Sequence, residues 1–209
     1  MLTLLFSILA SLISVVNPLG AVPLFISLTV DINRKERQKT ALHVSLYFIL
    51  ILSAFFLAGT VLLKFFGISI YAMRIAGGIV IFMSGFSLLN GKFEQSRAIN
   101  AKVREEAMAK NDISFTPMAM PMLSGPGSIS LLITYFNEYK EFSERTTIFV
   151  AIILAGFLVF LTLRAAPWVG KFLGEAGLKA ISRIMGFIVM SIGIQYIIVG
   201  VFSLVDSLK

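Results

Sequence analysis

Six long runs of apolar residues constrain the fold of this 209-residue chain more than any other feature of its sequence. Each run has little or no charge over about 18 or more positions, the length that a helix needs to cross a bilayer. The runs are Met1–Val30, Ala41–Leu63, Phe65–Leu89, Ile113–Asn137, Thr146–Leu163 and Ile184–Val205. With 57% hydrophobic and 14% charged residues, the chain has more apolar surface than a water-soluble domain could bury. We therefore predict an all-α polytopic membrane protein with six transmembrane helices in a single domain, residues 1–209.

The basic residues are distributed unevenly between the two sides of this predicted arrangement. The loops at 31–40, 90–112 and 164–183 hold 13 of the 18 Lys and Arg residues, and the side with the termini holds 5. Basic residues concentrate in cytoplasmic loops. We therefore expect a multi-pass protein of a prokaryotic plasma (inner) membrane, with both termini extracytoplasmic and residues 91–112 as a cytoplasmic linker. The net charge of +7 has its origin in these loops, so no nucleic acid partner is expected.

Matching residues recur 108 positions apart in the two halves of the chain. The matching pairs are Pro18 and Pro126, Glu36-Arg37 and Glu144-Arg145, Gly78 and Gly186, and Gly85 and Gly193. Such spacing indicates two repeats of three helices each, residues 1–90 and 113–209. Because three is odd, the second repeat enters the membrane upside down, an arrangement that is common in transporters. The sequence therefore predicts two inverted three-helix repeats.

Proline and glycine interrupt the first and fourth apolar runs, which occupy equivalent places in the two repeats. The first run contains NPLGAVP from Asn17 to Pro23, and the fourth contains SGPGS from Ser124 to Ser128. Proline removes a backbone donor and disfavours helical geometry in the preceding residue. A continuous helix of about 30 residues would also measure about 45 Å, against a hydrocarbon core of about 30 Å. We expect helices 1 and 4 to be discontinuous and to meet near the membrane midplane.

A break in a membrane helix leaves backbone groups that need partners, which a bound substrate can supply. Free N–H groups at the start of each second half-helix, expected near Ala21–Pro23 and Ser128–Ser130, favour a carboxylate. The carbonyl ends of the first half-helices, with the Asn17 side chain, suit an ammonium group. The predicted substrate-binding residues are Asn17, Pro18, Gly20, Ala21, Pro23, Ser124, Gly125, Pro126, Gly127 and Ser128. These small, uncharged residues favour a small zwitterion with a neutral side chain.

Two basic residues, Arg74 and Arg183, lie near matched positions close to the interiors of their helices. Such side chains can extend to the interface or cap carbonyl groups, and a gating role is the alternative. No acidic residue occupies a predicted membrane core, which disfavours proton coupling through a buried carboxyl group. Coupling to Na+ or H+ and transport without a coupling ion both stay open. With one His and no Cys, the chain is not expected to be an enzyme, to hold a metal or to need a cofactor.

The stretches NPLGAVPLF, from Asn17, and PMLSGPGSI, from Pro121, together with the arrangement of three plus three helices, resemble the MarC/SnatA family of six-helix membrane proteins. The resemblance covers essentially the whole chain. It implies a secondary transporter of small neutral amino acids, such as glycine, alanine and serine, with the substrate held by the two discontinuous helices.

Two other functions share some of these features. Aquaporin-like channels also have Asn-Pro motifs in inverted repeats. Their motifs follow the second and fifth helices, whereas here the motifs interrupt the first and fourth, and the second motif lacks Asn. A structural or regulatory membrane protein is the remaining alternative. The sequence leaves the direction of transport and the oligomeric state open.

Overall fold

The structure, a computed structural model, describes residues 1–90 and 113–208, and the predicted linker at 91–112 lies outside them. The helices in this part of the chain are α1 (Leu2–Val16), α2 (Pro18–Leu28), α3 (Arg34–Phe65), α4 (Ile70–Leu89), α5 (Pro126–Glu138), α6 (Phe142–Arg164) and α7 (Ala166–Ser207). An irregular coiled segment, Ser114–Leu123, precedes α5. The described residues include no β-strand, which confirms the all-α class.

Four helices are long and apolar enough to cross a membrane, namely α3, α4, α6 and the part of α7 from Ala176 to Ser207. The helices α1 and α2 together form a fifth candidate span, which is bent by 42°. The described chain thus contains four or five candidate spans where the sequence predicts six. The difference arises at Ile113–Asn137, because this stretch is not one continuous helix.

The segment Ser114–Leu123 is discontinuous because its two prolines stop helical geometry twice. The backbone is extended at Thr116 and at Met120, each immediately before a proline. Wide turns lie between these points, as in the 2.8 Å hydrogen bond from the Ser124 amide to the Ala119 carbonyl, five residues earlier. The fourth apolar run is therefore interrupted over a longer stretch than the SGPGS motif alone suggests.

Helix α7 begins at Ala166, well before the sixth apolar run at Ile184–Val205. The predicted loop at 164–183 is therefore wrong, since most of it is helical. One residue, Gly174, has a φ of 60° and breaks the helix near its start. Glycine adopts this conformation without the steric cost that a side chain would add. The basic residues that suggested a loop instead lie on the surface of a helix.

Exposed apolar side chains provide the surface that faces lipid. On α3 they follow the helical period, with Leu42, Leu46, Leu50 and Leu57 all at least 44% exposed. The other side of α3 packs into the core and is fully buried at Phe48, Leu52 and Phe56.

Glycines bring the backbones of α4 and α7 into contact. A Cβ built on Gly78 would lie 2.8 Å from the Gly193 carbonyl oxygen, and one on Gly193 would lie 2.7 Å from the Gly78 carbonyl oxygen. The corresponding distances at Gly85 and Gly186 are 2.6 and 2.8 Å. Because real Cβ atoms do not approach backbone oxygens this closely, the four positions form a seam that requires glycine.

Two arginines 108 residues apart hold the ends of α2 and α5. Arg37 on α3 donates to the carbonyl of Thr29 at 2.6 Å. Arg145 on α6 donates to the carbonyls of Tyr139 at 3.0 Å and Phe136 at 3.2 Å. These carbonyls lie at helix ends, where the backbone has no helical donor for them. The helices that carry the arginines both begin with a capping box, formed by Asn33 with Glu36 and by Glu141 with Glu144.

Candidate functional site

Asn17 alone forms the break between α1 and α2. Its left-handed backbone conformation (φ 47°, ψ 67°) ends α1, and α2 begins at the next residue, Pro18. Asn tolerates a positive φ better than most residues, and Pro is favoured at the first position of a helix. The helix then continues through Pro23. The expectation of free amides near Ala21–Pro23 is therefore wrong, because the second half-helix starts earlier.

The Asn17 side chain is 2% exposed and caps α2. Its Oδ1 accepts a hydrogen bond of 3.3 Å from the Gly20 amide, whereas its buried Nδ2 has no partner among the described residues. The expectation that Asn17 binds an ammonium group is therefore wrong, because the oxygen is already in use. The group that Asn17 has free is a donor, which suits a carboxylate.

The second break lies directly before α5. Gly125 is extended (φ −77°, ψ 170°), and Pro126 is the first residue of the helix. The first backbone hydrogen bond of α5 runs from the Ile129 amide to the Gly125 carbonyl, at 3.2 Å. The amides of Gly127 and Ser128 precede this bond, so they are the terminal donors that a helix leaves without acceptors of its own.

Two serines flank this break and differ in what they have free. Ser124 is fully buried, and its hydroxyl has no partner in the described part of the chain. The hydroxyl of Ser128 donates to the Gly125 carbonyl at 2.9 Å. Ser124 thus resembles Asn17, since each has a polar side-chain atom that is buried at a helix break without a hydrogen bond.

The two breaks lie against each other. A Cβ on Gly127 would come within 3.5 Å of Val15, which is two residues before Asn17. It would also come within 2.9 Å of Ile81 on α4. Gly127 is therefore needed for close packing and does not border open space, which differs from its predicted role in forming a gap.

The breaks together offer more donors than acceptors. The donors are the Asn17 amide group, the Ser124 hydroxyl and the first amides of α5. An acceptor arises at the Leu19 carbonyl, because Pro23 has no N–H to donate to it. The ten predicted site residues include no charged side chain. In the described residues, no group of three or more His, Asp or Glu is placed to hold a metal ion.

Arg74 lies outside the breaks and joins two helices. Its Nη2 is 2.9 Å from Glu138 Oε2, at the end of α5, and its guanidinium lies 5.9 Å from the centre of the Tyr196 ring on α7. Sequence reasoning missed Glu138 and Tyr196, because neither follows a local pattern that points to Arg74. Arg183 is exposed on α7, so the two predicted arginines occupy different environments.

The chain is similar to membrane proteins over nearly its whole length. The pattern of the MarC family integral membrane protein matches residues 2–205. A UPF0056 membrane protein of Buchnera aphidicola from Schizaphis graminum is 41% identical over 95% of this chain and 92% of its own length. The UPF0056 inner membrane protein MarC of Escherichia coli is 34% identical over 95% and 94%, respectively. No solved structure matches. The predicted resemblance is confirmed, and the chain belongs to the MarC family of integral membrane proteins.

Proposed function

We propose that this protein is a secondary transporter of small neutral amino acids, such as glycine, alanine and serine. The substrate would lie between the break at Asn17 and the break at Ser124–Pro126. The observation that carries the proposal is the unpaired buried Nδ2 of Asn17 and hydroxyl of Ser124. Buried polar atoms in proteins nearly always have a partner, and a polar substrate at the breaks would provide one.

The chemistry of the breaks favours a carboxylate with a small group attached. The amides at the start of α5 and the positive end of its dipole attract an anion without a basic side chain. Asn17 and Ser124 add two side-chain donors. The Leu19 carbonyl offers an acceptor to an ammonium group. A zwitterion with a small neutral side chain satisfies both sets, and the close packing around Gly127 disfavours a large one.

Inverted repeats would allow such a site to open to either side of the membrane. The glycine seam supports this arrangement, because moving the contact between Gly78 and Gly193 by 108 residues gives the contact between Gly186 and Gly85. Two contacts that interchange in this way are expected for a twofold axis between α4 and α7. The arginine caps on α3 and α6 obey the same relation.

The ion pair between Arg74 and Glu138 is a proposed closure on the predicted extracytoplasmic side. It connects α4 of the first repeat with α5 of the second, so a movement of one repeat against the other would separate it. A partly exposed pair contributes about 0.2–1 kcal/mol, which is weak enough to open repeatedly. Arg183, by contrast, is exposed, so we assign it an interfacial position and no gating role.

The proposal assigns no carboxyl group to proton coupling. In the described chain, acidic side chains lie only near helix ends or in the turns between helices, as at Asp31 and Glu138. Sodium binding to carbonyls and hydroxyls at the breaks, or exchange without a coupling ion, would both be compatible with this distribution.

Counterflow in proteoliposomes tests the proposal. Vesicles preloaded with unlabelled glycine should accumulate labelled glycine transiently and saturably, as a carrier does and a channel does not. Alanine should compete, whereas glycinamide and acetate, which each lack one pole of the zwitterion, should compete far less. Repeating the assay with and without Na+ and pH gradients identifies a coupling ion. Uptake no faster than in protein-free vesicles would contradict the proposal.

A matched pair of serine variants connects transport to the site. Ser124→Ala should weaken glycine transport about tenfold or more, because it removes a buried hydrogen bond worth about 1–3 kcal/mol. Ser191→Ala serves as the control, because this exposed serine on α7 bonds only to the Phe187 carbonyl of its own helix. Equal activity of the two variants would place the substrate elsewhere.

A further inference from the structure

A second feature lies at the end of the helix bundle away from the Arg74–Glu138 pair, on the predicted cytoplasmic face. Here the start of α3, the end of α6 and the start of α7 enclose a half-open cavity of about 550 Å³. Its lining includes Arg34, Arg37, Gln38, Arg164, Pro167 and Trp168. The cavity is separate from the helix breaks, and the following inference does not depend on transport.

Three guanidinium groups line this cavity without a neutralising carboxylate. Among the residues that the structure describes, none of Arg34, Arg37 and Arg164 forms an ion pair. The nearby acid Glu36 is engaged in the cap of α3. Arg37 is held in place through its bond to Thr29, and its buried Nε has no partner in the described chain. The cavity therefore combines positive charge with a fixed and unsatisfied donor, which suits an anion.

Aromatic residues beside the cavity place it at the membrane interface. Trp168 is 68% exposed and Phe172 is 76% exposed, and their rings stack at 5.5 Å with an interplanar angle of 7°. Both belong to the short part of α7 that ends at the break at Gly174. Tryptophan at the edge of an apolar surface is characteristic of the level of the lipid headgroups.

We propose that this cavity binds the phosphate headgroup of an anionic phospholipid. Guanidinium groups bind phosphate through paired hydrogen bonds, and they are less costly to desolvate than an ammonium group. The exposed rings of Trp168 and Phe172 would contact the acyl chains next to the headgroup. Basic pockets between helices on the cytoplasmic side are suited to anionic lipids, which enrich that leaflet.

The opposite face of the protein lacks an equivalent site. Arg145 corresponds to Arg37 at the 108-residue spacing, but its Nε and Nη2 both donate to carbonyls, and it stacks on Phe136 at 4.0 Å. The position that corresponds to Arg34 is Phe142. The two repeats differ where their packing is otherwise matched, so the basic cavity is specific to one face.

Trp168 provides a direct probe, because it is the only tryptophan in the chain. We would reconstitute the protein in phosphatidylcholine bilayers that contain a small fraction of brominated phosphatidylglycerol or of brominated phosphatidylcholine. Bromine quenches tryptophan fluorescence at short range. The anionic lipid should quench Trp168 several-fold more than the zwitterionic lipid at the same mole fraction. Equal quenching by the two lipids would overturn the proposal.

Charge-matched variants separate the cavity from the general basic character of this face. Arg34→Gln with Arg164→Gln should lower the preference for the anionic lipid by about 30-fold, as expected for two arginines near a charged membrane surface. Lys35→Gln with Lys39→Gln removes the same charge from exposed positions outside the cavity and should retain the preference. Loss in the lysine variant, or retention in the arginine variant, would refute the assignment.

Two further arms identify the source of the phosphate and guard against misfolding. Inorganic phosphate at millimolar concentration should not relieve the quenching by phosphatidylglycerol, and if it does, the cavity binds a soluble phosphate-bearing ligand and the lipid assignment is wrong. Arg34→Gln alone changes an exposed residue at the first position of α3. It should fold as the parent does and still lower the preference measurably, so unchanged preference in this folded variant would also count against the site.

Discussion

Asn17 combines three properties that few residue types offer at one position. Its backbone has a positive φ, its oxygen caps α2 by accepting from Gly20, and its buried Nδ2 is free to donate. Asp could provide the first two properties but would replace the donor with a negative charge. Ala could provide neither the cap nor the donor, and it is disfavoured at positive φ.

We predict that Asn17→Asp and Asn17→Ala fail for different reasons. Asn17→Asp should unfold at a temperature close to that of the parent, because Asp also caps helices well. It should nevertheless bind glycine at least about tenfold more weakly, since a carboxylate would replace the donor. Asn17→Ala should lose binding and also about 1 kcal/mol or more of stability, from the cap. Thermal unfolding in detergent and binding of labelled glycine measure the two effects.

The result for the Asp variant decides the role of Asn17. If Asn17→Asp binds glycine as tightly as the parent, the amide of Asn17 does not face the substrate carboxylate. If Asn17→Asp is as unstable as Asn17→Ala, the side chain has a role in folding that the Gly20 contact does not explain.

The sequence predicts the break at Asn17 but not the orientation of its side chain. Asn followed by Pro in an apolar run is a local signal, because both residues act on the backbone next to them. An amide group, however, can donate or accept, and here the Gly20 amide takes the oxygen. The role of Gly127 was equally hidden, because Ile81 and Val15 approach it from two other helices.

At the scale of helices, the seam between α4 and α7 leaves no room for a side chain. Each of its four glycines faces a backbone carbonyl of the other helix, and the two contacts are related by the 108-residue spacing. A methyl group at any of these positions would push the helices apart along their whole contact, because packed helices move as rigid units.

We predict that Gly78→Ala and Gly186→Ala destabilise the protein by similar amounts. Each adds one carbon at 2.8 Å from a backbone oxygen of the opposite helix, and overpacking of this kind costs about 1–3 kcal/mol. Thermal unfolding in detergent should show a clear loss for both. Ala76→Val adds carbon to an exposed position of α4 and should have little effect. A large effect of one glycine variant alone would argue against the twofold relation.

The lengths of the helices were predicted with uneven success, for reasons of local chemistry. The predicted run Thr146–Leu163 agrees with α6, because its apolar residues end where charged residues begin. The start of α7 was missed because Ala166–Leu173 and the turns after it carry Lys171 and other polar residues at the membrane surface. Hydropathy reports immersion in lipid, whereas a helix can extend beyond the lipid.

At the scale of the whole molecule, the repeat spacing anticipates contacts that lie far apart in the chain. The glycine contacts and the arginine caps both follow it, because equivalent residues pack in equivalent surroundings. The ion pair of Arg74 with Glu138 does not follow it, and no sequence signal indicates it. Such a pair depends on how the two repeats are placed against each other, which local patterns do not determine.

The orientation of the two repeats leads to the last prediction. Helix α3 runs away from Arg34, and its far end meets α4 in the turn at Phe66. The turn between α5 and α6, at Lys140, should lie on the same side as Phe66 if the repeats are inverted. The basic residues further place this side outside the cell and Lys35 inside.

Cysteine labelling tests this arrangement cleanly, because the chain contains no cysteine of its own. We predict that a membrane-impermeant maleimide labels Phe66→Cys and Lys140→Cys in intact cells, and labels Lys35→Cys only after the membrane is opened. All three positions are exposed in the structure, so failure to label reports the membrane barrier and not burial. Reversal of all three results would invert the protein in the membrane and leave the fold intact. Labelling of Phe66→Cys and Lys140→Cys from opposite sides would instead refute the inverted repeat, because α3 and α6 would then run in the same direction.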